Sequence, residues 1–382
     1  MAPTLRSKLP NVGTTIFTVM SQLAHDHHAL NLAQGFPNFA PSEQLLEYAA
    51  EAMHNGMNQY APMTGLKPLR ERIADKHNRL YGASYNADTD VTVTPGGTAA
   101  LFAAIAAVVQ QGDEVLIFEP CYDSYIPTIE LCGGRAVSSA LQFPAYSVDW
   151  DDVRSKLSPR TRLIILNTPH NPSGRVWKQE DMLTLQELTR DTGILILSDE
   201  VYEHVIFDGA PHQSVARYPE LAARSFVVAS FGKTFHVTGW KVGYCLAPAP
   251  LMAEFRKVHQ FMTFCTNTPA QYAFSRMLEN TALYENLGAF YQRKRDTFRS
   301  LLQGSRFELL PCEGSYFQLV RYDKITKEQD TTLAVRLTKE TGVASIPVSV
   351  FYTQHTDNHV LRLCFAKTDD TLEQAAKRLC TL

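Results

Sequence analysis

Three continuous apolar runs recur at nearly constant spacing through the middle of the chain, and each ends in a cluster of polar residues. Arg162 to Leu166 (RLIIL) runs into Asn167-Thr168-Pro169-His170-Asn171-Pro172-Ser173-Gly174. Ile194 to Leu197 (ILIL) runs into Ser198-Asp199-Glu200-Val201-Tyr202, and Phe226 to Ala229 (FVVA) into Ser230-Phe231-Gly232-Lys233-Thr234. Asn167 to Asp199 is 32 residues and Asp199 to Ser230 is 31, about one strand–helix unit each. Unbroken apolar runs of this length suit strands buried on both faces of a parallel sheet. In such a sheet ligands bind beyond the carboxyl ends of the strands. Three neighbouring strand ends therefore bring an amide, a carboxylate with a phenol, and a hydroxyl with an amine to one place.

The flanking sequence extends the pattern. Asp90 to Thr94 (DVTVT) reads as a strand, followed by Gly96-Gly97 and an alanine-rich helix over Thr98 to Gln111. Glu114 to Phe118 and Arg135 to Leu141 read as two further strands, and Gln179 to Arg190 as a helix between strands. This alternation predicts an α/β, doubly wound large domain with a mostly parallel sheet. After Pro248 the pattern changes. Pro250 to Phe264, Ala270 to Leu278 and one long segment, Leu283 to Leu302, read as helices. Ser315 to Val320, Val343 to Ile346 and Val360 to Phe365 read as strands, with Thr331 to Thr341 helical, which predicts a smaller α+β domain. The expected division is a large domain over 41–284, with 1–40 joining 285–382 in the small one.

Composition narrows the function. The 382 residues are 45% hydrophobic and 20% charged, an ordinary globular balance, and 36 Lys plus Arg stand against 39 Asp plus Glu. That balance leaves no electrostatic footprint for nucleic acid or an anionic membrane. No apolar stretch approaches a membrane span, and Met1 to Gly13 lacks an apolar signal core, so a soluble cytoplasmic protein is expected. The seven cysteines (Cys121, Cys132, Cys245, Cys265, Cys312, Cys364, Cys380) contain no C-x-x-C pair and read as reduced thiols. His25, His27 and His28 lack metal-ligand spacing, and no metal is expected.

Each polar cluster taken singly has a plainer meaning. Asn-Pro-Ser-Gly is turn chemistry, Asp199 could cap a helix, and Lys233 could be a solvated lysine. Gly232-Lys233-Thr234 suggests a phosphate loop, but Val227 stands where that motif needs glycine. No G-x-G-x-x-G follows a strand, which argues against a nicotinamide cofactor. A lysine, an acid and a phosphate cradle on one α/β platform do match the needs of pyridoxal phosphate. The lysine would bond the cofactor covalently and the acid would keep its pyridine nitrogen protonated. Gly96-Gly97-Thr98-Ala99 offers a helix N-terminus for the phosphate, and Ser230 and Lys241 offer a hydroxyl and a cation.

The segment Ser230 to Tyr244 (SFGKTFHVTGWKVGY), with NTPHNPSG, SDEVY and RLCFAK in order, resembles the class I/II aminotransferases, a fold-type I pyridoxal-phosphate family. The resemblance spans nearly the whole chain. Through GTTIFT, LAQGFPNF and NQYAPMTG the chain is similar to the branch holding the methionine and the kynurenine/glutamine transaminases. It implies that Lys233 carries the cofactor and shuttles the proton, that Asp199 faces the pyridine nitrogen, and that Tyr202 and Asn171 face the ring oxygen. Tyr122 would stack on the ring, Gly97, Thr98, Ala99, Ser230 and Lys241 would hold the phosphate, and Tyr60 would reach it from a neighbouring subunit of a homodimer. Arg362 would clamp the substrate carboxylate, with Gly35 beside it. Lys241 departs from the arginine that many relatives carry, which exchanges a bidentate fork for a point charge. Ile16, Phe17, Phe36, Tyr60 and Tyr122 are expected near the substrate side chain, and no second arginine is apparent there. The implied activity is transfer of an amino group from methionine or an aromatic amino acid to a 2-oxo acid. The rivals are a β-lyase on the same scaffold and, remotely, an aminotransferase-like ligand sensor, although no basic helix-turn-helix precedes Asn31.

Overall fold

In the computed structural model, which describes residues 5–382, the centre is a seven-stranded sheet. Its strands are β1 (Val91–Thr94), β2 (Glu114–Glu119), β3 (Arg135–Ala140), β4 (Thr161–Asn167), β5 (Leu195–Asp199), β6 (Ser225–Ser230) and β7 (Gly243–Leu246). They lie in the order β1-β7-β6-β5-β4-β2-β3. Only β7 runs antiparallel to its neighbours, pairing with β1 and β6.

The alternation of side chains explains why the runs are apolar throughout. Val115, Ile117, Leu163, Ile165, Leu197, Phe226 and Val228 pack on one face against the helix Gly97–Val108. Leu116, Phe118, Ile164, Leu166, Ile196, Val227 and Ala229 pack into the larger core on the other. A strand with two dry faces has no position at which a polar residue is cheap, so polarity collects at its ends.

Beyond the central sheet, Val360–Cys364 pairs antiparallel with Phe317–Arg321 and with Ile346–Pro347, and Glu308–Leu309 completes four strands. Leu30–Asn31 pairs in parallel with Val343–Ala344, which ties the N-terminal segment to the C-terminal one. Thr15 caps the helix Ile16–Asp26, its hydroxyl accepting from the Thr18 amide. Residues 1–4, within the expected 1–40 segment and the leader reading, lie outside the described residues.

Several boundaries differ from expectation. The long helix over 283–302 is two helices, Ala282–Glu285 and Leu287–Leu301, broken at Asn286. The strand over 343–346 is two short strands in different sheets. The helix over 331–341 is α-helical over Asp330–Arg336 and widens to a π-turn over Leu337–Thr341. The strand β7, which starts in the last two residues of the Ser230 to Tyr244 motif and runs past it, has no counterpart among the expected strands.

Candidate active site

A cavity of about 300 Å³ opens at the carboxyl ends of β4, β5 and β6. Lining it are Lys233, Asp199, Tyr202, Gly97, Thr98, Tyr122, Asn171, Ser230, Lys241, Arg362, Gly35 and Phe17, together with the unforeseen Gln34, Asn167, Val201 and Phe317. Residues from positions 17 to 362 thus meet in one place.

The carboxylate comes from the last residue of β5. Asp199 is 3% exposed; one oxygen accepts from the Tyr125 hydroxyl at 2.6 Å and the other from the Val201 amide at 3.3 Å. Burial pushes its carboxyl up to about 6 even though both of those bonds pull it down. Asn167, ending β4, donates to the Asp199 carbonyl at 2.8 Å and accepts from the Asn171 amide at 2.7 Å, coupling two strand ends. Tyr125 carried no sequence signal apart from lying three residues after Tyr122.

The amine follows β6 on the single turn Phe231–Thr234. Lys233 Nζ is 2.9 Å from the Tyr316 hydroxyl and 3.2 Å from the Gly35 carbonyl. Burial brings its pKa down to about 8, and the charges of Arg362 and Lys241 push the same way. At pH 7.5 roughly a quarter of such amines are neutral, against about one in a thousand at the ordinary lysine value.

Arg362 is buried in the middle of Val360–Cys364, where Leu319 is its cross-strand partner. Its diagonal neighbour Phe317 lies beneath the guanidinium, 3.9 Å from ring centroid to Cζ. Nη1 donates to Asn171 Oδ1 at 2.8 Å and Nη2 to the Ala33 carbonyl at 2.8 Å, while Nε has no protein partner. A buried planar fork with donors to spare is built to receive a carboxylate. Asn171, having committed its oxygen to Arg362, keeps its amide N–H groups free to donate.

Opposite these groups, Gly96 (φ +84°) turns the chain into the helix Gly97–Val108, whose first amides face the cavity. A Cβ on Gly243 would stand 2.8 Å from the Gly97 nitrogen, so β7 approaches that turn more closely than any side chain allows. Lys241, itself left-handed (φ 52°), places Nζ 3.1 Å from where a Gly96 Cβ would be. Helix amides, a hydroxyl at Ser230 and an ammonium at Lys241 form an anion cradle.

Not every expected residue arrives. Ala99 does not line the cavity; it lies one residue further into the helix than Thr98. Ile16 packs against the larger core, as Phe17 also does, but does not reach the cavity. Phe36 turns outward, with the Lys367 ammonium 4.7 Å above its ring. Tyr60 is 82% exposed and packs edge-on against Phe264, away from the cavity of its own chain.

The sequence matches the model of the family "Aminotransferase class I and II" over residues 27–379. The chain is a class I/II aminotransferase. It is 53% identical to the methionine aminotransferase of Escherichia coli K12 over 98% of this chain and 97% of that one. It is 32% identical to kynurenine–oxoglutarate transaminase 1 of Mus musculus, covering 98% and 96%. The crystal structure of an Escherichia coli protein assigned a methionine aminotransferase function superposes with a TM-score of 0.98 at 52% identity, covering all of both chains. The aminotransferase has the fold-type I architecture, and its family uses pyridoxal phosphate. The donor set fits that group: an incompletely paired buried carboxylate, a depressed lysine and an anion cradle surround one cavity.

Proposed function

We propose that this aminotransferase takes its amino group from methionine, and next from aromatic amino acids, and passes it to a 2-oxo acid in two half-reactions. The carrying observation is the single buried fork of Arg362 in a cavity whose apolar and aromatic wall includes Phe17, Tyr122, Val201 and Phe317. Arg362 takes the α-carboxylate, and the aromatic wall takes the donor side chain. A thioether or ring gains roughly 1–3 kcal/mol there from burial and sulfur–aromatic contact. A second carboxylate would lose its hydration at a cost of several kcal/mol, since Arg362 is the one arginine lining the cavity among the described residues. The identity to the Escherichia coli methionine aminotransferase supports methionine as the donor.

Pyridoxal phosphate, when bound, supplies the electron sink that makes the α-proton acidic. Gly97, Thr98, Ser230 and Lys241 would hold its phosphate, Asp199 its pyridine nitrogen, and Tyr202 and Asn171 its ring oxygen, with Tyr122 against the ring. Lys233 Nζ removes the α-proton and returns it on the other side of the transfer. Its low pKa keeps a usable fraction neutral near neutrality. Phe17 and the Gln34–Gly35 loop close the substrate side of the cavity.

We also read the chain as a cytoplasmic homodimer, in which Tyr60 reaches the partner's phosphate site. The division into 41–284 and 1–40 with 285–382 belongs to the same proposal. All seven cysteines are free thiols, and no helix among the described residues is long and apolar enough to cross a membrane.

The test of substrate class is kcat/KM for methionine and aspartate with one fixed 2-oxo acid. Methionine is expected to lead by at least tenfold. Aspartate equal to or better than methionine would overturn the pocket reading while leaving the transaminase standing.

A further inference from the structure

Tyr316 immediately precedes the strand Phe317–Arg321, and nothing in the strand-end chemistry calls for it. Its ring is fully buried, edge-on to Tyr202 (5.0 Å, 85°) and packed against Phe317 and Tyr291. Its hydroxyl donates to the Gly35 carbonyl at 2.6 Å and stands 2.9 Å from Lys233 Nζ. A phenol has one hydrogen, and here it is committed to Gly35, so toward Lys233 the oxygen acts as acceptor. Gly35 O, 3.2 Å from the same nitrogen, is a second acceptor. The arrangement depends on the glycine: a Cβ at position 35 would lie 2.8 Å from the Phe317 ring and push the carbonyl away.

A neutral amine has two N–H bonds and one lone pair. Two acceptors, Tyr316 Oη and Gly35 O, take both hydrogens. The lone pair is then left to the remaining direction, and the open side of Lys233 is the cavity it lines. We propose that Tyr316 is the positioning residue of the free Lys233 amine, holding its hydrogens so that its lone pair faces the substrate. This rests on the reading of Lys233 as the base. Burial keeps the Tyr316 phenol far above its ordinary range, so it stays an intact hydroxyl throughout the working pH range. The same hydroxyl joins the N-terminal loop at Gly35 to the lysine, so the position of that loop bears on the aim of the amine.

Tyr316→Phe keeps the ring and removes the hydroxyl, both the acceptor toward Lys233 and the donor to Gly35. In the holoenzyme kcat is expected to fall about tenfold with KM for methionine within twofold, and the isotope effect from α-deuterated methionine to rise. In the cofactor-free full-length chain, the pH midpoint for acetylation of Lys233, followed by mass spectrometry, is expected to move down by at least half a unit. The ammonium form loses an acceptor, which favours the neutral amine. A purely structural role would lower the thermal midpoint or raise KM without moving either the isotope effect or the Lys233 midpoint. An unchanged isotope effect and an unchanged midpoint would overturn the inference. Lys233→Ala separates the two levels: a dead Lys233→Ala beside an unaltered Tyr316→Phe defeats only this inference, whereas an active Lys233→Ala defeats the reading beneath it.

Discussion

Burial moves two charges of the cavity toward each other on the pH scale, Asp199 up to about 6 and Lys233 down to about 8. Each is costly as an ion when no partner is bound, and bound pyridoxal phosphate would relieve both. The carboxylate value of Asp199 in the cofactor-free chain is raised, so it takes up a proton as pH falls through about 6, and a protonated acid cannot pair with a pyridinium. Cofactor affinity, measured as Kd between pH 7 and pH 5, is expected to weaken through that window beyond what Lys233 alone causes. Asp199→Asn should bind more weakly at pH 7 and lose this extra step. A parallel decline in both proteins would remove Asp199 from the role. At this scale the strand-end residues were legible because a polar side chain that terminates an apolar run has few bland explanations once three such ends coincide. Tyr316 and Phe317 were not legible, since each is one apolar or aromatic residue in or beside a strand. What places them is register, Phe317 lying diagonal to Arg362, and register is absent from a local pattern.

Behind the β5 loop lies a buried ionic cluster that fixes elements rather than touching the cavity. Lys76, on the helix Lys67–Tyr81, reaches Glu203 at 2.5 Å and the Tyr244 hydroxyl at 2.6 Å, and Tyr81 donates to the other Glu203 oxygen at 2.7 Å. Burial alone would raise the Glu203 carboxyl, but Lys76 and the adjoining histidines hold it well below the usual range. This cluster joins that helix, the loop after Tyr202 and β7. Lys76→Met leaves a buried carboxylate without its cation and is expected to cost about 3–5 kcal/mol in stability, measured by denaturant unfolding. A loss under 1 kcal/mol would show the pair to be dispensable. The element types were legible from period and length. The break at Asn286 is marked only weakly, by Asn286 itself and by Gly288 inside the next helix, and the change after Arg336 has no glycine or proline at it. The strand β7 was hidden for a related reason: Gly243 to Leu246 is short, and its first two residues read as the end of a motif.

At the scale of the molecule, Tyr60 (82% exposed), Phe264 and Phe261 (91% exposed) put aromatic surface outside the single chain. Such surface is expected to be covered by a second copy, with Tyr60 delivered to the partner's phosphate cradle. Sedimentation should give a dimer, and Tyr60→Phe should weaken cofactor binding; an active monomer, or unchanged cofactor affinity, would contradict this. The architecture was readable because the doubly wound alternation and the β4, β5 and β6 ends set both the sheet and the place of the cavity. The parallel pairing of Leu30–Asn31 with Val343–Ala344 joins residues more than three hundred positions apart, and no local signal announces it. The central claim is that one amine, Lys233, moves the α-proton. It is tested most directly by Lys233→Ala, comparing solvent-deuterium exchange at the α-carbon of methionine by NMR with wild type. The expected result is no visible absorption from covalently held cofactor, no turnover, and α-exchange reduced by at least a thousandfold. Exchange within tenfold of wild type in that variant would contradict the account.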